Sequence, residues 1–281
     1  MLPRVQWFEF NELAWMPRSL RHGIQRSIGF DQWVQGCFRG ELPRRFVRWL
    51  ERTGADEVLD LGSGGGGPVL SLLRGARRCL GGQDKALPTF HLSDIAPELH
   101  RFAELTAHGP VWEEHREREH IRFVQEPVDA LADPLPCPQR FFTLINIAHH
   151  FPPDLVRRIL ANLVRQGDGV FVVDTYYRSV RFVPMMIASL VPSWVAPLVV
   201  RPFRWSHLLW GTLIPIVPLL VMHDGLTTVL RCYRPDEWQR LVDGLPGGEA
   251  FEWEIDRLRN GVVYVAGWRR AQQPPGLTTA S

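Results

Sequence analysis

The residues best placed to do chemistry in this chain begin at Val58, with the run "VLDLGSGGGG". Gly62, Gly64 and Gly67 follow an apolar stretch and satisfy the GxGxxG spacing of a nucleotide-binding turn. Lacking a Cβ, glycine lets the backbone pass close under a ligand. Asp60 stands two residues before the first glycine, and Asp94 ends the next apolar run, "TFHLSD". His149 and His150 follow "FFTLINIA", and Tyr176 and Tyr177 follow "GVFVVD". Imidazoles and phenols placed after apolar runs can move protons or form the wall of a site.

Glycine spacing alone serves two cofactor classes. A dinucleotide would bring pyrophosphate towards Asp60, where like charges repel. Its ribose-binding acid is expected about 20 residues after the first glycine, whereas Asp94 lies 32 residues after Gly62. A cofactor with a cationic end and no phosphate would instead favour Asp60. S-adenosylmethionine is one, carrying an ammonium, a sulfonium and a carboxylate.

At these positions the chain resembles the class I S-adenosylmethionine-dependent methyltransferases. The resemblance rests on "VLDLGSGGG", "LSD" at the end of the second strand, "PVDAL" after the third and "INIAHHF" at the fourth. It covers residues 42–178 and 224–268 and implies the following roles. Asp60 orients the methionine end; Gly62, Ser63 and Gly64 run beneath the cofactor. Asp94, with Ile95 beside it, accepts hydrogen bonds from the ribose hydroxyls, although an acid there also suits a helix cap. Val128 and Asp129 flank the adenine, and Asn146 and Ile147 close over the methionine end. The connection "GARRCLGGQDKALP" is longer than the family pattern implies.

Beyond the cofactor, His149 is the candidate catalytic base, the alternative being a packed loop histidine. His150, Tyr176 and Tyr177 are expected at the mouth of the crevice. Trp15 and Arg21, near the start of the chain, are further substrate candidates. Arg21 could meet an anionic group or simply be a solvated arginine. His223-Asp224 could be an oriented pair, but Asp224-Gly225 reads more simply as a turn. No metal-ligand spacing appears, so no metal is expected.

These residues need a scaffold. Leu42, Phe46, Trp49 and Leu50 share one helical face, ending at Gly54. Strands follow at "EVLDLG", "TFHLSD", "IRFVQE", "FFTLINIA" and "GVFVVD". The helices "PVLSLLRG", "PELHRFAELTAH" and "PPDLVRRILANLVRQ" alternate with them. That alternation predicts an α/β doubly wound, Rossmann-like sheet of seven strands. After the helix "RPDEWQRLVDGL", the strands "AFEWEID" and "GVVYVAGW" make a terminal antiparallel hairpin about Arg259-Asn260-Gly261.

The expected organisation is a helical cover over 1–40, a core over 41–178 and 224–270, an apolar insertion over 179–223 and a flexible tail over 271–281. Residues 175–223 contain no Asp, Glu or Lys, and six prolines interrupt them. Because strands on both sides must join one sheet, a single membrane crossing is excluded. A two-span hairpin would leave proline-freed carbonyls in lipid. A lid over a greasy substrate, a membrane-surface patch with arginines at the headgroups, and an extra helical layer remain open.

Of 281 residues, 45% are hydrophobic and 22% charged, as in a globular protein. A net charge of +2 gives no argument for nucleic acid. Lys85 is the only lysine among the 32 basic residues, which reads as codon bias. The four cysteines are scattered, so a reducing cytoplasm is expected, with peripheral contact at the inner membrane face through 182–222 as an extension. No signal peptide is read at the start.

Together these readings imply methyl transfer from S-adenosylmethionine to a hydrophobic small molecule or lipid-like acceptor, at oxygen before carbon. The alternatives are an NAD(P)-dependent oxidoreductase and a non-catalytic membrane-surface protein with a vestigial nucleotide fold.

Overall fold

A computed structural model of the chain describes residues 2–81, 87–97, 116–136 and 138–270. The helix expected over "PELHRFAELTAH" and the tail from 271 lie outside the described residues.

Seven strands form one sheet: β1 (Glu57–Leu61), β2 (Thr89–Ser93), β3 (Ile121–Phe123), β4 (Phe141–Ile145), β5 (Gly169–Asp174), β6 (Phe251–Arg257) and β7 (Val263–Arg269). Their order is β3-β2-β1-β4-β5-β7-β6, parallel except at β7, which pairs antiparallel with both neighbours. The central strands bury both faces. In β5, Val170 and Val172 pack on one side while Phe171 and Val173 pack on the other, as period-2 alternation requires.

Helices α1 (Arg18–Gln35), α2 (Glu41–Thr53), α3 (Gly67–Leu80) and α4 (Pro153–Gln166) are followed by α5 (Val183–Ala188) and α6 (Leu190–Val199). Then come α7 (Trp205–Leu208), a π-helical turn (Leu209–Leu213), α8 (Ile216–Arg231) and α9 (Pro235–Val242). Of the face expected of α2, Leu42, Phe46 and Trp49 are buried and Leu50 is half-buried, and Gly54 ends the helix at φ 67°. The Trp49 indole N–H donates to the Gly267 carbonyl at 3.0 Å, fastening α2 to β7.

Two elements depart from the sequence expectation. Strands β3 and β4 stop at Phe123 and Ile145; after β4 the chain turns at Asn146, with φ 57°, into the 3-10 turn Ala148–His150. Asp224-Gly225 is no turn but lies inside α8. The Asp224 carboxylate leaves that helix to accept the Phe10 and Asn11 backbone N–H groups at 2.8 and 3.0 Å. Helix α8 thus runs across the expected end of the insertion at residue 223, and α9 follows it before β6.

Candidate active site

Strand order reverses between β1 and β4, opening the crevice where α/β sheets bind ligands. The glycine run leaves β1 there. Gly62, Gly64 and Gly66 have φ of 70°, 53° and 71°, a region that L side chains rarely occupy. A Cβ at Gly62 would lie 2.7 Å from Ile147 Cγ1, so the turn is pressed against the loop after β4. A Cβ at Gly64 would meet nothing within 4 Å; this stretch faces open space.

Asp60 differs from the expectation. Its register partner across β1 and β4 is Thr143, whose hydroxyl donates to Oδ1 at 2.5 Å, while Ser63 donates to Oδ2 at 2.6 Å. The residue is 1% exposed, and burial pushes its carboxyl up to about 7, the two hydroxyl bonds opposing the shift. It shapes the turn from below instead of presenting a charge to a ligand. The argument that its charge repels a pyrophosphate loses its force for the same reason.

Asp94 reaches the same turn from β2. Oδ2 accepts the Gly64 N–H at 2.9 Å, Oδ1 accepts the Ala96 N–H at 3.0 Å, and its carbonyl accepts the Val128 N–H at 2.9 Å. The loop after β3 is thereby held beside the glycine turn. Ile95 is 65% exposed next to it, and Asp129 closes its own loop by accepting from Leu131 N–H at 2.9 Å. Each oxygen of Asp94 keeps a second lone pair for another hydroxyl donor.

Asn146 is the only non-glycine residue with positive φ among the described residues, at 57°. Its Oδ1 accepts the Thr175 N–H and hydroxyl at 2.9 and 2.7 Å, which fixes the side chain. Its Nδ2 is buried without a protein partner. A buried donor left without a partner on a strained turn fits a ligand oxygen.

The 3-10 turn Ala148–His150 follows. His149 is 4% exposed, and its Nδ1 lies 2.8 Å from Asp174 Oδ1 at the end of β5. The second oxygen of Asp174 is buried and unpartnered. Sequence reasoning missed Asp174, although an acid closing the buried strand "GVFVVD" repeats the signal carried by Asp60.

The His150 ring packs on that of His149, with centroids 4.3 Å apart, and pairs with Glu12, which also takes two bonds from the Arg231 guanidinium at 2.7 and 2.9 Å. Burial would raise the Glu12 carboxyl, but the bonds from His150 and Arg231 outweigh it and hold it well below the carboxylate range. These contacts end an N-terminal strap. Arg4 donates to the carbonyls of Arg231, His149 and Phe151 at 2.7, 3.2 and 2.8 Å, and Gln6 to that of His150 at 2.7 Å. Glu9 accepts from Thr228 at 2.8 Å. None of these partners is near the strap in sequence, so spacing could not reveal it.

The remaining substrate candidates are placed otherwise than expected. Tyr176 is buried at 6% exposure, and its hydroxyl donates to Gln35 Oε1 at 2.8 Å beneath α1. Gln35 in turn donates to Asp31 at 2.6 Å, whose carboxyl burial pushes up to about 6. Tyr177 stands between Arg181 and Arg257 and accepts from Arg257 at 2.9 Å, so it braces the terminal hairpin. Arg21 donates to the Leu13 carbonyl at 2.6 Å, tying down its own loop, and Trp15 is 68% exposed on the surface. The Tyr176 and Tyr177 hydroxyls and one Arg21 nitrogen are engaged by the protein itself, which sequence cannot show.

Folding also brings donor atoms of Glu9, His149 and His150, and of His149, Asp174 and Cys232, within 4.8 Å of one another. Arg231 already supplies Glu9 with positive charge at 3.4 Å, and His149 is engaged by Asp174.

No family model matches the chain, and no curated protein sequence does. Solved structures do. Human N-acetylserotonin methyltransferase, in complex with S-adenosylmethionine, is 15% identical, with a TM-score of 0.50 over 95% of this chain and 64% of that one. An O-methyltransferase family 2 protein from Planctomyces limnophilus, in complex with apigenin, is 14% identical, with a TM-score of 0.52 over 92% and 63%. The chain therefore spans less than two thirds of the length of both. The plantazolicin methyltransferase BpumL, in complex with S-adenosylhomocysteine, is 9% identical, with a TM-score of 0.51 over 93% of each chain. The fold is that of the Rossmann-like methyltransferases, with the reversed last strand that the terminal hairpin predicts.

Proposed function

We propose that this chain transfers a methyl group from S-adenosylmethionine to a hydroxyl of a hydrophobic small molecule. The observation that carries the reading is the His149–Asp174 pair, 2.8 Å apart and buried at the strand ends, two residues from the Ile147 that packs on the glycine turn. With Nδ1 facing a carboxylate, His149 is oriented so that Nε2 is left to take a proton. O-methylation of a weakly acidic hydroxyl needs such a base; methylation of an activated carbon depends on it less.

The residues fit the cofactor. The open face at Gly64, the Asp94 carboxylate beside it and the unpartnered Nδ2 of Asn146 offer backbone room, a hydroxyl acceptor and an amide donor. When bound, the cofactor supplies an electrophilic methyl group. The chain holds the glycine turn through Asp60 and Asp94, removes the acceptor proton at His149 and excludes water with the N-terminal strap. The sheet order supports this reading over a dinucleotide enzyme, whose sixth strand continues the parallel sheet.

Calorimetry with S-adenosylhomocysteine tests the cofactor, and transfer of labelled methyl to a panel of apolar phenols, quinols and hydroxylated acyl chains tests the acceptor. Wild-type protein that binds no S-adenosylhomocysteine overturns the proposal. Products bearing only C-methyl groups overturn its oxygen preference.

A further inference from the structure

Within the stretch from Val180 to Leu219, which is anchored by buried Phe182, Met186 and Val217, helix α6 is built inside out. In α6 the buried residues are Ser193, Ala196 and Pro197. The exposed ones include Val191, Trp194 and Leu198, at 66%, 47% and 49%. With Ile187 before them, these recur at steps of four, three and four, one face of a continuous helix. A helix lying on a protein in water turns its large apolar groups inward. Here small residues face α1 and α8, and the large apolar ones face out.

The next turn extends the same surface. The Trp194 indole donates to the Thr212 carbonyl at 3.1 Å, and the Thr212 hydroxyl donates back to the Trp194 carbonyl at 2.9 Å. This sets α6 beside Leu209–Leu213. Leu213 is 67% exposed there, and Trp205, just before it, is 78% exposed. Thirteen of the nineteen large apolar side chains exposed among the described residues lie between Val180 and Leu219. Apolar surface gathered in one region marks an interaction site.

Charge identifies the occupant. Residues 175–223 carry arginine and no acid. Arg178 is buried against Glu237, but Arg201 is exposed in the link between α6 and α7, where Phe203 and Trp205 meet edge to face at 5.1 Å. A protein interface is rimmed by mixed polar groups. Arginine with exposed aromatic rings beside an uncharged apolar face suits the boundary between anionic headgroups and acyl chains. The segment Val180–Val199 has the length and apolarity to cross a membrane, at 20 residues and a mean hydropathy of 1.8. Yet a third of its most apolar window is buried in the protein, and β5 and β7 on either side pair in one sheet.

The geometry points to a docking surface for an anionic lipid bilayer, formed by residues 187–219 and lying in the interface without crossing it. This does not depend on methyl transfer. The test is flotation of the full chain with vesicles of phosphatidylcholine alone and of phosphatidylcholine with phosphatidylglycerol, at moderate salt. Wild-type protein floats with the anionic vesicles. The Val191→Glu/Leu198→Glu variant, altered only at exposed positions and matched in thermal melting, loses at least tenfold in partitioning. Arg201→Gln lowers anionic binding about fivefold. A separate variant, Trp205→Ser, tests the same face should the glutamates disturb folding. Wild-type protein that floats with neither vesicle overturns the inference, as does equal flotation of folded variants. A dimer that forms without flotation and is dissociated by the glutamate variant assigns the face to a second copy, and overturns it too.

Discussion

His149 Nδ1 lies 2.8 Å from Asp174 Oδ1, joining the loop after β4 to the end of β5 in a site with almost no solvent access. A carboxylate in that position selects the imidazole tautomer that keeps Nε2 as acceptor. Asp174→Asn offers either a donor or a weaker acceptor and loses that control. Methyl transfer should fall about 10²–10⁴-fold in both Asp174→Asn and His149→Gln. S-adenosylhomocysteine affinity, read by calorimetry, should stay within a few-fold of wild type. Equal loss of affinity would make the pair structural.

Asp94 is placed to serve the cofactor and the turn together, because the oxygen that holds the Gly64 N–H faces the same crevice. Asp94→Ala should weaken S-adenosylhomocysteine binding by at least about tenfold, the size of one lost charge-assisted hydrogen bond. Unchanged affinity would remove Asp94 from the site.

Asp60 makes stability depend on pH. Its folded value, about 7, lies above the ordinary aspartate value of 3.8, so the folded protein binds the proton more tightly than the unfolded chain. Its contribution is fully present below pH 3.8 and is lost as pH rises through 7. Asp60→Asn cannot ionise and should lack this component. The melting-temperature difference, wild type minus variant, should therefore fall between pH 4 and 7 and level off above about 8. A difference that stays constant across this range would contradict the shift.

Glu12 works in the opposite sense. Its carboxyl is held low by His150 and Arg231, so its contribution is present above the ordinary glutamate value and is lost only as pH falls below it. The strap should thus stay closed at neutral pH. Glu12→Gln should open it, and limited chymotrypsin digestion should cut within residues 7–10 several-fold faster while the core stays intact. Unchanged cleavage would show that the contacts of Arg4, Gln6, Glu9 and Asp224 hold the strap without Glu12.

The departures from the sequence reading share one cause. Positions along the chain alone make Tyr176, Tyr177 and Arg21 candidates for substrate contact. Each shares a hydrogen bond with a residue that sequence does not place beside it: Gln35, Arg257 and Leu13. Position alone makes Asp60 a charge facing a ligand, but its register partner, Thr143, lies 83 residues away and caps it.

The sequence by itself determined what depends on local periodicity and local backbone freedom. The alternating strands and helices, the end of α2 at Gly54, the glycine turn after β1 and the terminal hairpin all follow from residues within one or two turns of each other. Only the tertiary structure decided what the polar groups do. Whether a carboxylate is a ligand, a hub or a cap depends on which donors arrive from other strands and on how much water they displace. Asp60 was thereby enclosed, Asp174 was set on His149, and an acid-free apolar stretch became one outward face of a folded layer.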